Sequence, residues 1–211
     1  MDKTTIHHKL MARLLFLSYV AIRFLLGNRI LAFNPYATYF FDTAFIVFIS
    51  LIYKKDIPYK IYRNKIQLVE FPVIFIFGMA IFMLSQIFNW DIPVNFRHTE
   101  SIIFLIIISP ILEELLFRQS FIHIFKNILN NPWYIIITTA LLFSLSHYYT
   151  NALNYPGTRQ FIIFQTVYTF GLGIWLGWRY LKTKSILHVI ILHFFLNLGF
   201  GIAGYLFAGA N

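Results

Sequence analysis

The chain of 211 residues contains no cysteine. That excludes a disulfide framework, a thiolate nucleophile and any metal site built on cysteine. Acidic residues are scarce too: eight Asp and Glu stand against seventeen Lys and Arg. Charged residues of both signs make up 12% of the chain, half the roughly 25% of a soluble domain. Low charge with long apolar runs excludes an ordinary soluble domain, and the mean hydropathy of +0.69 agrees. The net charge of +9 does not point to nucleic acid. The basic residues sit between apolar runs, where they orient spans rather than form a patch. A cleavable signal peptide is not expected either, because the stretch 14–20 is followed by Arg23 and lacks a small-x-small cleavage site.

What is present is apolar sequence in lengths of about 20 residues, the length that crosses a bilayer. Seven spans are read, at about 10–32, 36–53, 70–89, 101–125, 133–150, 160–180 and 185–207. The expected fold is all-α: a polytopic transmembrane helix bundle, one membrane domain over residues 1–211. Arg13 and Arg23 interrupt the first span, and Arg23 either snorkels or pairs with Asp42 of the second. Pro72 is read at the tolerant start of the third span. Pro110 falls in the middle of the fourth, where it should kink the helix and free backbone carbonyls. Gly171, Gly173 and Gly177 give the sixth a small-residue stripe suited to close packing. There is no internal repeat.

The loops alternate in charge. Lys54, Lys55, Lys60, Arg63 and Lys65 lie between spans two and three, and Arg179, Lys182 and Lys184 between six and seven. Lys3 and Lys9 precede the first span, whereas the other loops hold only Arg29, Arg97 and Arg159. The positive-inside rule then puts the N-terminus in the cytoplasm and the C-terminus outside. Trp90, Trp133, Tyr148, Tyr149, Trp178 and Tyr180 stand at span ends, as an aromatic belt would. The expected location is the cell membrane, multi-pass.

Against this background the sequence Ser109-Pro110-Ile111-Leu112-Glu113-Glu114-Leu115-Leu116-Phe117-Arg118 stands out. Each ionised group inside hydrocarbon costs at least ~2.5–3.5 kcal/mol on insertion scales, so three within six residues must be satisfied internally. Glu114 and Arg118 are i and i+4 and can pair on one helix face. Glu113 points about 100° away from Glu114, available as a base; the plainer reading is a structural ion pair beside a protonated glutamate. His147 in the fifth span reads alone as a polar residue near a helix end. His193 and Asn197, again i and i+4, read alone as interhelical glue. His188 is read as interfacial and His123 as an edge residue. Together, three spans bring a carboxylate, an imidazole, and an imidazole with an amide to a similar depth. That is a parts list for activating water and stabilising an oxyanion. No serine is set up as a nucleophile and no His-Glu-x-x-His helix occurs.

Glu-Glu-x-x-x-Arg at 113–118, Phe-x-x-x-His at 143–147 and His-x-x-x-Asn at 193–197, in that order on separate helices, resemble the CPBP family. That family comprises the CAAX prenyl endopeptidases and the bacteriocin-processing or immunity proteins, also called the Abi group. The resemblance covers a motif-bearing core of about 101–207 and leaves the first three spans unmatched. It implies an intramembrane endopeptidase acting on a peptide or a lipidated, membrane-associated protein, in CAAX-type processing, bacteriocin or signal-peptide maturation, or immunity. On the family pattern Glu113 activates the attacking water with His147, His193 and Asn197 polarise the carbonyl and hold the oxyanion, and Glu114 with Arg118 orients the site. The short, cysteine-free, Ile- and Phe-rich chain resembles a small bacterial member. Family members are often labelled metalloproteases, and Glu113, His147 and His193 could offer zinc three ligands. With no paired His-x-x-x-His ligands, a metal-free glutamate mechanism without cofactor is favoured. The expected partners are a peptide or protein substrate and the lipid bilayer, not nucleic acid. The alternatives are a non-catalytic membrane immunity or peptide-binding protein, and a small proton-coupled transporter, which should show inverted repeats.

Overall fold

Among the described residues, seven helical rods stand where seven spans are read. The computed structural model describes residues 3–26, 37–52, 67–154 and 156–207. The basic segment 54–65 and Arg29 lie outside them. The rods are α1 (Lys3–Val20, extended by a π-turn Ala21–Leu26), α2 (Ala37–Ile52), α3 (Gln67–Ile87), α4 (residues 99–126), α5 (Pro132–Asn154), α6 (Arg159–Thr183) and α7 (Ile186–Phe207). No strand occurs among the described residues. Val69–Ile87, Arg159–Thr183 and Ile186–Phe207 are long and apolar enough to cross a membrane, and Thr38–Ile52 is a shorter apolar helix. Leu10, Leu14 and Leu17 on α1 and Val69, Val73 and Ile76 on α3 are exposed. Spacings of three and four put each set on one outward stripe, the surface a bilayer covers.

Helix ends follow local chemistry. Pro132 opens α5 without needing its missing N–H, and the Asn131 side chain caps the Trp133 N–H at 2.9 Å. Lys184 closes α6 in a left-handed conformation, φ 50°. Pro72 falls in the second turn of α3, not the first, because the helix begins at Gln67.

Side-chain pairs set the helix directions. Phe16 packs on Phe125 and Tyr19 on Phe121, so α1 and α4 are antiparallel, and Tyr19 and Arg23 meet Asp42 of α2. Phe104 lies beside Tyr39 and Gln119 donates to Ser50, so α2 and α4 are parallel. Glu113 faces His147 while Phe117 faces Phe143, so α4 and α5 run oppositely. Ser144 bonds the Thr166 carbonyl and Gly177 meets Ile136, so α5 and α6 do too. α3 and α7 are parallel, with Glu70 beside His188 and Phe82 beside Phe200. Two faces result. One gathers the starts of α1, α3, α5 and α7 and holds Lys126, Lys182 and Lys184; the other holds residues 88–98 and 156–158.

The packing joins the first three helices to the rest. Phe121 of α4 lies 5.1 Å from Tyr19 and 6.1 Å from Phe45, centroid to centroid. α3 crosses α7 at two glycines: a Cβ on Gly78 would run into the Leu196 carbonyl oxygen, and one on Gly199 into that of Phe75. Backbone meets backbone there, beside Asn197. Gly173 and Gly177 similarly face Ala140 and Ile136 of α5, whereas Gly171 faces open space. Gly199→Ala should therefore cost about 1–3 kcal/mol through overpacking. The measurement is the melting temperature in detergent, and an unchanged melt would refute the tight crossing.

Near the basic face, Arg179 Nη2 lies 2.7 Å from Glu70 Oε2, and His188 Nε2 3.3 Å from the same oxygen. Arg179 and His188 are buried. Arg179 is thus a residue of α6 rather than of a loop, and His188, in the first turn of α7, is buried against it.

Candidate active site

Pro110 shapes the helix that carries the two glutamates. α4 is an α-helix only over Thr99–Ile103, Ser109–Glu114 and Ile122–Lys126, with wide π-turns over Phe104–Ile108 and Leu115–Phe121 between them. Proline lacks an N–H and its ring crowds the preceding turn, and a wide turn relieves the crowding. The Ser109 N–H reaches back five residues to the Phe104 carbonyl. In that register the next carbonyl, Leu105, would need an N–H from Pro110. It receives the Asn197 amide instead: Nδ2 donates to it at 2.8 Å. The freed carbonyl expected from the mid-span proline is thus satisfied from α7. An amide NH2 has two hydrogens, so Asn197 keeps one donor while it ties α7 to α4.

Glu114 and Arg118 pair as their spacing predicts, Nε to Oε2 at 3.0 Å, with side chains 0% and 1% exposed. The guanidinium also lies over the Phe143 ring, 4.5 Å from its centroid, and among the described residues none of its three nitrogens finds hydrogen-bond geometry, so the contact with Glu114 is an ion pair. The other Glu114 oxygen is 2.9 Å from His193 Nδ1. A carboxylate neutralised by arginine accepts, so Nδ1 carries the proton and Nε2 presents a lone pair. His147 is held the same way. Its Nδ1 lies 2.9 Å from the Phe143 carbonyl, which can only accept, and its Nε2 is left free. The recurring Phe at 143 therefore serves twice, as a ring for Arg118 and as a carbonyl for His147.

Both imidazoles turn their free nitrogen toward Glu113. Oε2 is 3.8 Å from His147 Nε2 and 3.8 Å from His193 Nε2. That oxygen is buried and has no hydrogen-bond partner among the described residues, while Oε1 accepts from the Ser109 hydroxyl. A gap of 3.8 Å is too long for a direct hydrogen bond. Three acceptors converge on one space, a geometry suited to a shared donor such as water.

Glu113, His147, His193 and Asn197 all line one cavity of about 1300 Å³. Glu114 and Arg118 stand behind it, so the structure divides the six expected residues into four that face the space and two that brace them. The donor set of Glu113 and two imidazoles with anchored Nδ1–H groups is the chemistry zinc ligands have. Among the described residues, however, no three such side chains are close enough to hold a metal ion as they stand. Tetrahedral ligands at about 2.0–2.1 Å from zinc would sit closer together than 3.8 Å.

The cavity also has a wall that the motifs do not announce. The Tyr19 hydroxyl donates to Asp42 Oδ1 at 2.8 Å, and Arg23 Nε is 3.5 Å from the same oxygen. All three residues line the cavity. The open question over Arg23 is answered by pairing, with Tyr19 as a third member. Ser109 is the other addition; its place one turn before Glu113 was the available signal.

A helical membrane bundle that holds a carboxylate between two imidazoles over an open cavity has the build of an intramembrane hydrolase. Residues 96–199 match the family model of the type II CAAX prenyl endopeptidases, Rce1-like. Over this segment, just under half of the chain, it is similar to that branch of the CPBP family. The match contains Glu113, His147 and His193 through Asn197 and excludes α1, α2 and α3. Comparison with curated proteins and with solved structures gave no match.

Proposed function

We propose that the protein hydrolyses a peptide bond inside the membrane with a water activated by Glu113, without a metal. The observation that carries this reading is the buried, unpartnered Glu113 Oε2 between two imidazole nitrogens at 3.8 Å each. Water in that gap gives a proton to Oε2, oriented by His147, and its oxygen attacks the scissile carbonyl carbon. The carbonyl oxygen becomes an oxyanion that accepts from the spare N–H of Asn197 and from His193, whose Nε2 first takes up a proton from solvent. Glu114, neutralised by Arg118, supports the positive imidazole of His193 through Nδ1. Collapse of the intermediate breaks the C–N bond, and the leaving amine takes the proton from Glu113.

The proposed topology has the N-terminus in the cytoplasm, with the basic segments on that side. The test of the chemistry is cleavage of a quenched fluorogenic apolar peptide by purified protein in detergent. Turnover should survive chelation, and the protein should carry far less than one equivalent of zinc. Chelator-sensitive turnover restored by zinc, with one equivalent bound, would replace this mechanism with one in which Glu113, His147 and His193 hold the metal. No cleavage of any peptide would favour a binding protein.

A further inference from the structure

Ser109 departs from the habit of other hydroxyls on these helices. Thr139, Thr166 and Thr183 each donate to the carbonyl four residues earlier, and Ser85 and Ser146 to the one three residues earlier. Such bonds satisfy a hydroxyl within its own helix and leave nothing over for a site. The carbonyl four residues before Ser109 belongs to Leu105, and it already accepts the Asn197 amide at 2.8 Å. The Ser109 hydroxyl turns forward instead and donates to Oε1 of Glu113, one turn on. That bond makes the two carboxyl oxygens unequal. Oε1 is occupied, while Oε2 lies 3.8 Å from each of the two imidazole Nε2 atoms. The last torsion of a glutamate side chain is broad and nearly two-fold. A donor on one oxygen is therefore what fixes which oxygen faces the gap.

We infer that Ser109 is a positioning residue for the hydrolysis: its hydroxyl holds the Glu113 carboxyl so that Oε2 is aimed between His147 and His193. Asn197 keeps it there. By filling the Leu105 carbonyl, the amide of α7 denies Ser109 its backbone bond and leaves Glu113 as the acceptor. Pro110 completes the arrangement, since it brings no N–H to α4 and the Leu105 carbonyl stays open to the amide. Asn197 thus acts on Glu113 through a carbonyl and a hydroxyl, besides the N–H it offers an oxyanion. Ser109 supplies a donor only; it gives up no proton and attacks nothing. The inference rests on the reading of Glu113 as the base, and adds which groups aim that base.

The test uses the full chain in detergent and the fluorogenic peptide. Ser109→Ala should lower kcat roughly tenfold to a hundredfold, the scale of one hydrogen bond to a charged group, with KM within about twofold. Ser109→Thr and Ser109→Val share one shape and one branching pattern before Pro110, so backbone strain cancels between them. Ser109→Thr should exceed Ser109→Val in kcat by a comparable factor. A second readout needs no turnover: the infrared stretch of the Glu113 carboxyl, taken as the difference between each protein and its Glu113→Gln counterpart. That band should shift in Ser109→Ala and Ser109→Val and stay in place in Ser109→Thr. It should shift in Asn197→Ala as well, although the serine is intact. Should the branched pair fail to fold, Ser109→Ala and the infrared band decide alone. Equal kcat for the branched pair, a loss carried by KM, or a band that Asn197→Ala leaves unmoved would overturn the inference. Inactive Glu113→Gln beside fully active Ser109→Ala would remove this inference and keep the glutamate base. Normal turnover by folded Glu113→Gln would remove the base reading, and this role for Ser109 with it.

Discussion

Glu113→Gln should lower single-turnover cleavage by roughly a hundredfold to ten-thousandfold, the range of general acid–base contributions, while the protein still folds. The amide keeps the size of the carboxylate and can still accept from Ser109, but it cannot take a proton from water. It is also cheaper to bury than a charge, so the melting temperature should stay near wild type. His147→Ala removes the nitrogen 3.8 Å away that helps hold the same water and should cost a comparable factor. Because both act on one water, the double variant should lose little more than either single change. Rates are measured with the fluorogenic peptide on protein whose folding is checked by melting. Near-normal turnover by folded Glu113→Gln would end the glutamate-base mechanism.

Arg118→Ala should have the largest effect on stability. Removing one partner of a buried ion pair typically costs about 3–5 kcal/mol, and Glu114 is 0% exposed. Adding Glu114→Gln removes the stranded charge and should restore part of the stability. Turnover should not return with it, because a neutral amide cannot support a positive His193 as the carboxylate does through Nδ1. Melting and single-turnover rates on both singles and the double separate the two effects. Strictly additive losses in stability would refute the pairing, and full recovery of turnover would deny Glu114 any electrostatic hold on His193.

The rods and the site were legible in the sequence for one physical reason: polar groups are expensive in hydrocarbon, so the few present stand out and fall at helical spacing. Glu114 and Arg118 are neighbours along the chain, and their pairing follows from one turn of helix. Glu70 and Arg179 are 109 positions apart; nothing local links them, and Arg179 looks like a loop charge until α6 is seen to run to Thr183. The Tyr19–Asp42 contact was hidden differently, since a tyrosine among aromatic residues passes for packing. Asn197 could be read as glue or as an oxyanion donor. The structure adds its partner, a carbonyl whose need for one depends on a wide turn that spacing alone does not reveal.

That wide turn can be read as the setting of a screw. A π-turn fits one more residue into a turn than an α-helix does, and one residue of α-helix is worth about 100° of rotation. Pro110, by holding the turn open, sets the angular phase of everything that follows it on α4. Wound back to regular α-helix, the same ten residues would swing Glu113 away from the two imidazoles with no change in composition and little change in depth. The aim of the carboxylate is thus stored as a count of residues, held open by a ring on α4 and latched by an amide on α7.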